Sequence, residues 1–390
     1  MTTLMNPRLP NTKLVTLCAM LICAVELQAQ IPIVPDWSYD QANGIGFFSP
    51  EPSPVAGHAS LGELRRATFI AAANYVGSLV SPAYAGETIR IQVGFTNIAG
   101  ATIANAGPLG YTNNFGSTNP RYLPDTDYPL SLANHLAGRE LFSGNTIVVN
   151  FNLNPNIVWN YDTNDTPPLG TGQESFFTTA VHEILHGVPF LTYINTTDGS
   201  FDGFPTIFNR HIVEGTNPPV RFTDLSNAQR LVAMTNDNLY WNGPLAVAAN
   251  GGVPLKLFAP SPYQEGSSVS HLDTTVFDPF GLVQLPRESS LAKAELALVG
   301  FERAMMYDLG WTPARPRLLS ITNGVGGFHI SATSILKAKY RLRFTDSLST
   351  GGSMTNWSII SGVHTGGWHT VTFTNAPPSE TGFFGVEIIP

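Results

Sequence analysis

The sequence predicts a mixed α/β (α+β) domain followed by a small all-β sandwich, and three patterns carry that expectation. Residues 61–80 and 173–187 space their apolar side chains as one-sided helices do. Residues 87–97 and 146–153 alternate apolar and polar side chains as half-buried strands do. Beyond residue 313 the chain turns to short alternating runs separated by Gly, Ser, Thr and Asn turns. The expected boundaries are 1–29 for a signal peptide, 30–313 for the α/β domain and 314–390 for the β-sandwich.

In chain order, Arg8 and Lys13 precede an apolar run at residues 14–25, and the small-residue site Gln28-Ala29-Gln30 follows. That layout predicts a secretory signal peptide cleaved near Ala29, and hence a secreted, periplasmic or cell-surface protein. The run is shorter than the roughly 20 residues that span a bilayer. No other long apolar run occurs, so the mature chain is expected to carry no integral membrane segment. Leu17 and Ile22 stand where a lipid-anchored Cys18 or Cys23 would need a small neighbour. Both cysteines of the chain lie here, which predicts a mature protein without disulfides or thiolate chemistry.

Residues 31–58 are rich in Pro, Gly and Ser and read as irregular. In the helix at 61–80, Leu64, Phe69, Ala72, Tyr75 and Val76 form the buried side. Ile89, Ile91, Val93 and Phe95 point one way from the strand at 87–97. The turn-rich segment 160–172 leads into a helix over 173–187 that Gly187 ends. Turns interrupt residues 188–270, with one short helix near 226–236. A last helix spans 291–309, with Met305, Met306 and Tyr307 read as core residues, and Pro313 and Pro316 bound a linker.

Composition narrows the function classes. Of the residues, 43% are apolar, enough for a sizeable core, while charged residues make up only 12%. The net charge of −8 argues against nucleic acid or an anionic membrane as partner, since both attract basic surfaces. A protein or peptide substrate is the expected partner.

The chemistry concentrates in His182-Glu183-Ile184-Leu185-His186. Residues i and i+4 share one face of a helix, so His182 and His186 can turn their imidazoles to one zinc ion. Glu183 then flanks the ion, where a carboxylate can take a proton from water as general base. The alternative is a surface helix with two solvated histidines. Phe176, Phe177, Ala180, Val181, Ile184 and Leu185 instead give this helix a packed face. A catalytic zinc wants three protein ligands. His271, in the small-residue loop Gly266-Ser267-Ser268-Val269-Ser270-His271, is the expected third. His211 reads as a surface or core residue, and His329, His364 and His369 as ordinary residues of the β-sandwich. Asp273 is a candidate acceptor for the far nitrogen of His271. Asp162, Asn164 and Asp165 supply oxygen donors that suit calcium, and turn formation accounts for them equally well. Glu174 needs only the helix dipole to explain it.

The run from His182 to Phe190 resembles the HExxHGxxF core of metzincin-type peptidases, without the third histidine those carry shortly after the Gly. A long insertion before that histidine is the leishmanolysin-like arrangement, and His271 fits it. Leu61-Gly-Glu-Leu-Arg-Arg, Gly86-Glu-Thr-Ile and Leu132-Ala-Asn-His-Leu-Ala-Gly are similar to exported leishmanolysin-like bacterial proteins. So are residues 204–213, Trp241-Asn-Gly-Pro-Leu-Ala and Ala304-Met-Met-Tyr-Asp-Leu-Gly-Trp. The resemblance covers residues 60–312 and implies a metzincin-like fold and a zinc-dependent endopeptidase. The C-terminal part resembles small β-modules appended to exported bacterial proteins. Where the group has a Met-turn, this chain reads Gly281-Leu282-Val283-Gln284, so Val283 replaces the Met at some cost in packing beneath the metal. That departure favours a second expectation from another class, a non-catalytic, zinc-stabilised surface or matrix-binding protein. Retention of Glu183 speaks against it, because a structural metal needs no base.

Overall fold

The structure, a computed structural model, describes residues 30–163, 169–277, 298–324, 327–335, 338–346, 354–367, 370–375 and 383–389. The expected signal peptide, Asn164 and Asp165, residues 291–297 of the last expected helix, Val283 and His369 lie outside the described residues. The fold is mixed α/β with several small sheets, in two compact units, Gln30–Arg315 and Pro316–Ile389. Among the described residues no helix is long and apolar enough to cross a membrane.

The larger unit is built on a four-stranded sheet of β1 (Ile33–Asp36), β2 (Ile89–Thr96), β3 (Ala104–Pro108) and β4 (Ile147–Asn152). Their order is β1-β2-β4-β3, parallel except for β3, which lies antiparallel at the edge. The alternation in β2 and β4 is matched across the ladder, where Ile91 pairs with Ile147, Val93 with Val149 and Phe95 with Phe151. All six are buried, so a slip of one residue would turn the row out of the core.

Helix α1 (Leu61–Ser78) is capped by Ser60, whose hydroxyl accepts the Glu63 amide. Helix α2 (Leu130–Ala137) follows, and α3 (Phe176–Gly187) carries the candidate motif. Both α1 and α3 cover one face of the sheet. Phe69 and Phe176 meet Phe151 at ring distances of 6.2 and 4.6 Å, and Phe47 joins the cluster. Helix α3 runs antiparallel to β4, with Phe176 beside Phe151 and Gly187 against Ile147. Gly187 is needed for that approach, because a Cβ there would lie 2.3 Å from Ile147 Cγ2.

Four expectations need correction here. Residues 31–58, expected to be irregular, contain β1 and a short helix, Ser38–Asn43. Residues 173–175 are not helical. They form a short strand, Gln173–Ser175, paired in parallel with Val158–Asn160, and Ser175 caps α3 by accepting the Thr178 amide. Glu174 therefore precedes the helix, and burial raises its carboxyl pKa. Residues 188–270, read mainly as turns, hold a second, antiparallel sheet. Its strands are β5 (Ile212–Glu214), β6 (Val220–Arg221), β7 (Leu239–Trp241) and β8 (Leu255–Lys256), in the order β6-β5-β7-β8. Strands of two or three residues are too short to register a period. Helices α4 (Asn227–Ala233) and α5 (Pro244–Ala249) lie between its strands, α4 behind a capping box of Ser226 and Gln229. The last helix, α6 (Gly300–Leu309), starts at Gly300, and Leu298 and Val299, inside the expected span, are not helical. Glu302 turns back to accept the Val299 amide and so fixes that start.

In the C-terminal unit, β9 (Leu318–Gly324), β10 (Gly327–Thr333), β11 (Lys339–Thr345), β12 (Ser358–Ile359), β13 (His364–Thr365), β14 (Thr370–Asn375) and β15 (Phe383–Ile389) make two antiparallel sheets. One has the order β9-β10-β14. In the other, β11 pairs with β15 along its length and with β12 and β13. Ile330 and Phe373 of the first and Tyr340, Leu342 and Phe344 of the second are buried. Rings from the two sheets meet at Phe328–Phe384 and His364–Phe373, 6.0 and 4.6 Å apart.

Candidate metal centre

Helix α3 buries its apolar side against the sheet and leaves His182 half-buried on the opposite side. One turn on, His186 lies deeper. His271 reaches the same place from the second sheet. Beyond β8 the chain continues extended, Leu257 bridges Leu272, and the Phe258 amide donates to the His271 carbonyl at 2.8 Å. Two residues before the histidine, Val269 stands at φ +71°, a left-handed conformation rare for a β-branched residue. The Val269 amide, bonded to Phe258 O at 2.7 Å, and its fully buried side chain hold it there.

The three imidazoles converge through one kind of atom. Nε2 of His186 is 3.0 Å from Nε2 of His182 and 3.1 Å from that of His271, and the third side of the triangle is 3.1 Å. None of the three residues closes this arrangement alone. His186 Nδ1 donates to the Phe190 carbonyl at 2.6 Å, and His271 Nδ1 donates to the Ser267 carbonyl at 2.8 Å. A carbonyl can only accept, so in their neutral forms both residues present a bare lone pair at Nε2. They are neutral. Burial, then the neighbouring His182, pushes His186 down to about 3, and burial with the other two imidazoles holds His271 well below the ordinary range. Two lone pairs 3.1 Å apart repel unless a cation lies between them.

The residues fit zinc. Corners of such a triangle lie about 1.8 Å from its centre, so a point about 2.0–2.1 Å from every nitrogen, the zinc–imidazole distance, lies just off their plane. Among the described residues this is the one group of three His, Cys, Asp or Glu side chains whose donor atoms all fall within 4.8 Å of one another.

Glu183 is 5% exposed, and its Oε2 is buried with no hydrogen-bond partner among the described residues. Burial pushes its carboxyl up to about 8. A cation held by the adjacent imidazoles would favour the ionised form and bring the group back toward the carboxylate range.

The other candidates fall elsewhere. Asp273 does not orient His271. Its Oδ1 accepts the Thr275 and Val276 amides at the start of the short helix Thr274–Phe277, and its Oδ2 faces Lys256 at 3.7 Å. The sequence missed the acceptors that do the orienting, because Phe190 and Ser267 act through their carbonyls, which side-chain identity does not encode. His211 packs on Trp241 at 4.9 Å, outside the cluster, and its Nε2 is buried without a partner among the described residues. His329 bonds to Thr374 and His364 packs on Phe373, both in the C-terminal unit. Tyr307 donates to the Leu79 carbonyl at 3.1 Å, a core tie, and Met305 and Met306 are buried. Of the calcium donors only Asp162 is described, and its amide closes a turn on Asn160.

Several of the segments that carry the resemblance contact one another. Glu87 bonds to His135, His135 to Thr312, and Trp311 to the Val188 carbonyl at the end of α3. Asp308 accepts the Leu245 and Ala246 amides of α5. Gly243 must be bare there, since a Cβ would lie 2.2 Å from Asp308 Oδ2. Comparison of the chain with protein-family models, with curated proteins and with solved structures gives no match.

Proposed function

We propose that the protein is an exported, zinc-dependent endopeptidase of metzincin-like fold and leishmanolysin-like ligand spacing. The observation that carries this reading is the convergence of three Nε2 atoms, at least two of them bare lone pairs, beside a buried and unpartnered glutamate. His182, His186 and His271 hold the ion. When bound, zinc polarises the scissile carbonyl and lowers the pKa of water to about 7. Glu183 would serve as the base, taking a proton from the attacking water at a carboxylate oxygen and returning it to the leaving amine. The apolar wall of α3 excludes bulk water on the side away from the substrate.

An edge strand of the sheet supports a route for the substrate. Among the described residues, strand β3 pairs with β4 on one side and with no strand on the other. Leu191, in the segment leaving α3, lies beside Gly107 of β3. An extended peptide adding to this edge would therefore pass the end of the motif helix.

The test is zinc content together with cleavage of unfolded casein by wild type, Glu183→Ala and His271→Ala. Wild type is expected to hold about one zinc and to cleave. Glu183→Ala should keep the zinc and lose cleavage, and His271→Ala should lose both. If wild type holds zinc but cleaves no faster than Glu183→Ala, the peptidase reading fails and the zinc-stabilised binding protein replaces it.

A further inference from the structure

His186 is aimed by a carbonyl that belongs to a turn, so whatever fixes the turn also fixes the ligand. Helix α3 ends at Gly187, and the Val188 and Phe190 amides both fold back onto the Leu185 carbonyl, at 3.0 and 2.9 Å. That fold presents Phe190 O to His186 Nδ1. The turn's own outward acceptor, the Val188 carbonyl, receives the indole Nε1–H of Trp311 at 2.7 Å.

Trp311 cannot easily follow if the turn shifts. It is fully buried, its carbonyl accepts Arg121 Nη1 at 2.7 Å, and its ring lies on His135, centroids 4.7 Å apart. His135 is itself held at both nitrogens. Nδ1 donates to Glu87 at 2.9 Å, and Nε2 accepts from the Thr312 amide at 3.0 Å. Glu87 is 1% exposed and takes the Ala83 amide on its other oxygen. A chain of satisfied buried polar groups thus runs from the start of β2 to the turn that aims a metal ligand.

We propose that Trp311 is a positioning residue of the metal centre, holding the turn from Val188 to Phe190 so that the Phe190 carbonyl fixes the tautomer and direction of His186. This rests on the zinc reading above. Groups that orient a metal-binding imidazole change metal affinity by about 10- to 100-fold when removed.

The experiment measures zinc affinity by chelator competition, and the visible spectrum of the cobalt-substituted protein, which responds to ligand arrangement. Trp311→Phe keeps the ring and removes the donor. Trp241→Phe serves as control, since it removes the indole bond to Asp308 in the same unit without touching the turn. Trp311→Phe should bind zinc about 10-fold more weakly with an altered cobalt spectrum. Trp241→Phe should keep wild-type affinity and spectrum even where its melting temperature falls as far. If Trp311→Phe does not fold, Arg121→Ala decides, with the same readouts shifted in the same direction. Wild-type affinity and spectrum in the folded variant overturn the inference while leaving the zinc reading intact. A wild type that binds neither ion overturns both.

Discussion

Two buried histidine networks lie in the larger unit, and they differ in what they leave undone. His135 is completely buried, and protein groups occupy both of its nitrogens, Glu87 on one side and Thr312 on the other. His186 and His271, 6% and 4% exposed, each have one nitrogen satisfied and the other turned toward its neighbours. Burial is nearly equal, and a histidine–glutamate pair occurs only in the first. What marks a binding centre is convergent ring nitrogens, at least two of them acceptors turned toward one another. A satisfied network stiffens the fold, whereas an unsatisfied convergent one calls for a cation.

The comparison breaks most sharply under alanine substitution. His186→Ala should weaken zinc binding by at least about 100-fold and, without metal, cost less stability than His135→Ala. His135→Ala should still bind zinc, but it removes the hydrogen-bond partner of a buried Glu87 oxygen and of the Thr312 amide and should cost about 1–3 kcal/mol in chemical denaturation. Equal effects of the two on both measurements would erase the distinction.

Next in size is a pH effect on the metal-free protein. Folding raises the Glu183 carboxyl from the ordinary 4.5 to about 8. Below the unfolded value both states carry the proton, so the group contributes nothing. Between the two values only the folded state keeps it, so stability falls as pH rises, up to about 8. Glu183→Gln should therefore match wild type near pH 4 and be more stable near pH 8, by an amount on the order of a few kcal/mol. Parallel melting curves at both pH values would refute this.

Gly187→Ala tests the close approach of α3 to the sheet. The added methyl meets Ile147 at 2.3 Å, and overpacking of this kind costs about 1–3 kcal/mol. Zinc affinity should fall with it, since the helix end carries His186. The smallest effect is expected at Tyr307→Phe, which removes one hydrogen bond to the Leu79 carbonyl and should cost about 1 kcal/mol with zinc binding unchanged.

The sequence revealed what is periodic and local. Helix α1, strands β2 and β4 and the pairing of His182 with His186 follow from spacing alone, because each is set by residues close in the chain. His271 is legible from its small-residue loop and from the resemblance, but what holds that loop in place is not. In the structure that loop is held by the ladder of Phe258 and by Ser270, whose hydroxyl accepts the Thr192 amide at 3.1 Å. Such partners are 78 residues apart, and no local pattern announces them. Gly187 ends the helix as its sequence position suggests, and it also makes room for Ile147, which no local pattern shows. Asp273 was read as a partner of the ligand beside it, but it caps the helix that starts next to it.

The position of the third ligand has a consequence for unfolding. His186 and His271 are 85 residues apart, and the chain between them contains the whole second sheet. An ion bound to both would tie the two ends of that loop together in the folded chain, adding its binding free energy to the stability of the segment between them. Chelation should then loosen the β5–β8 region first, leaving the parallel ladder of β1, β2 and β4 protected, so that a probing protease would cut preferentially within residues 190–270.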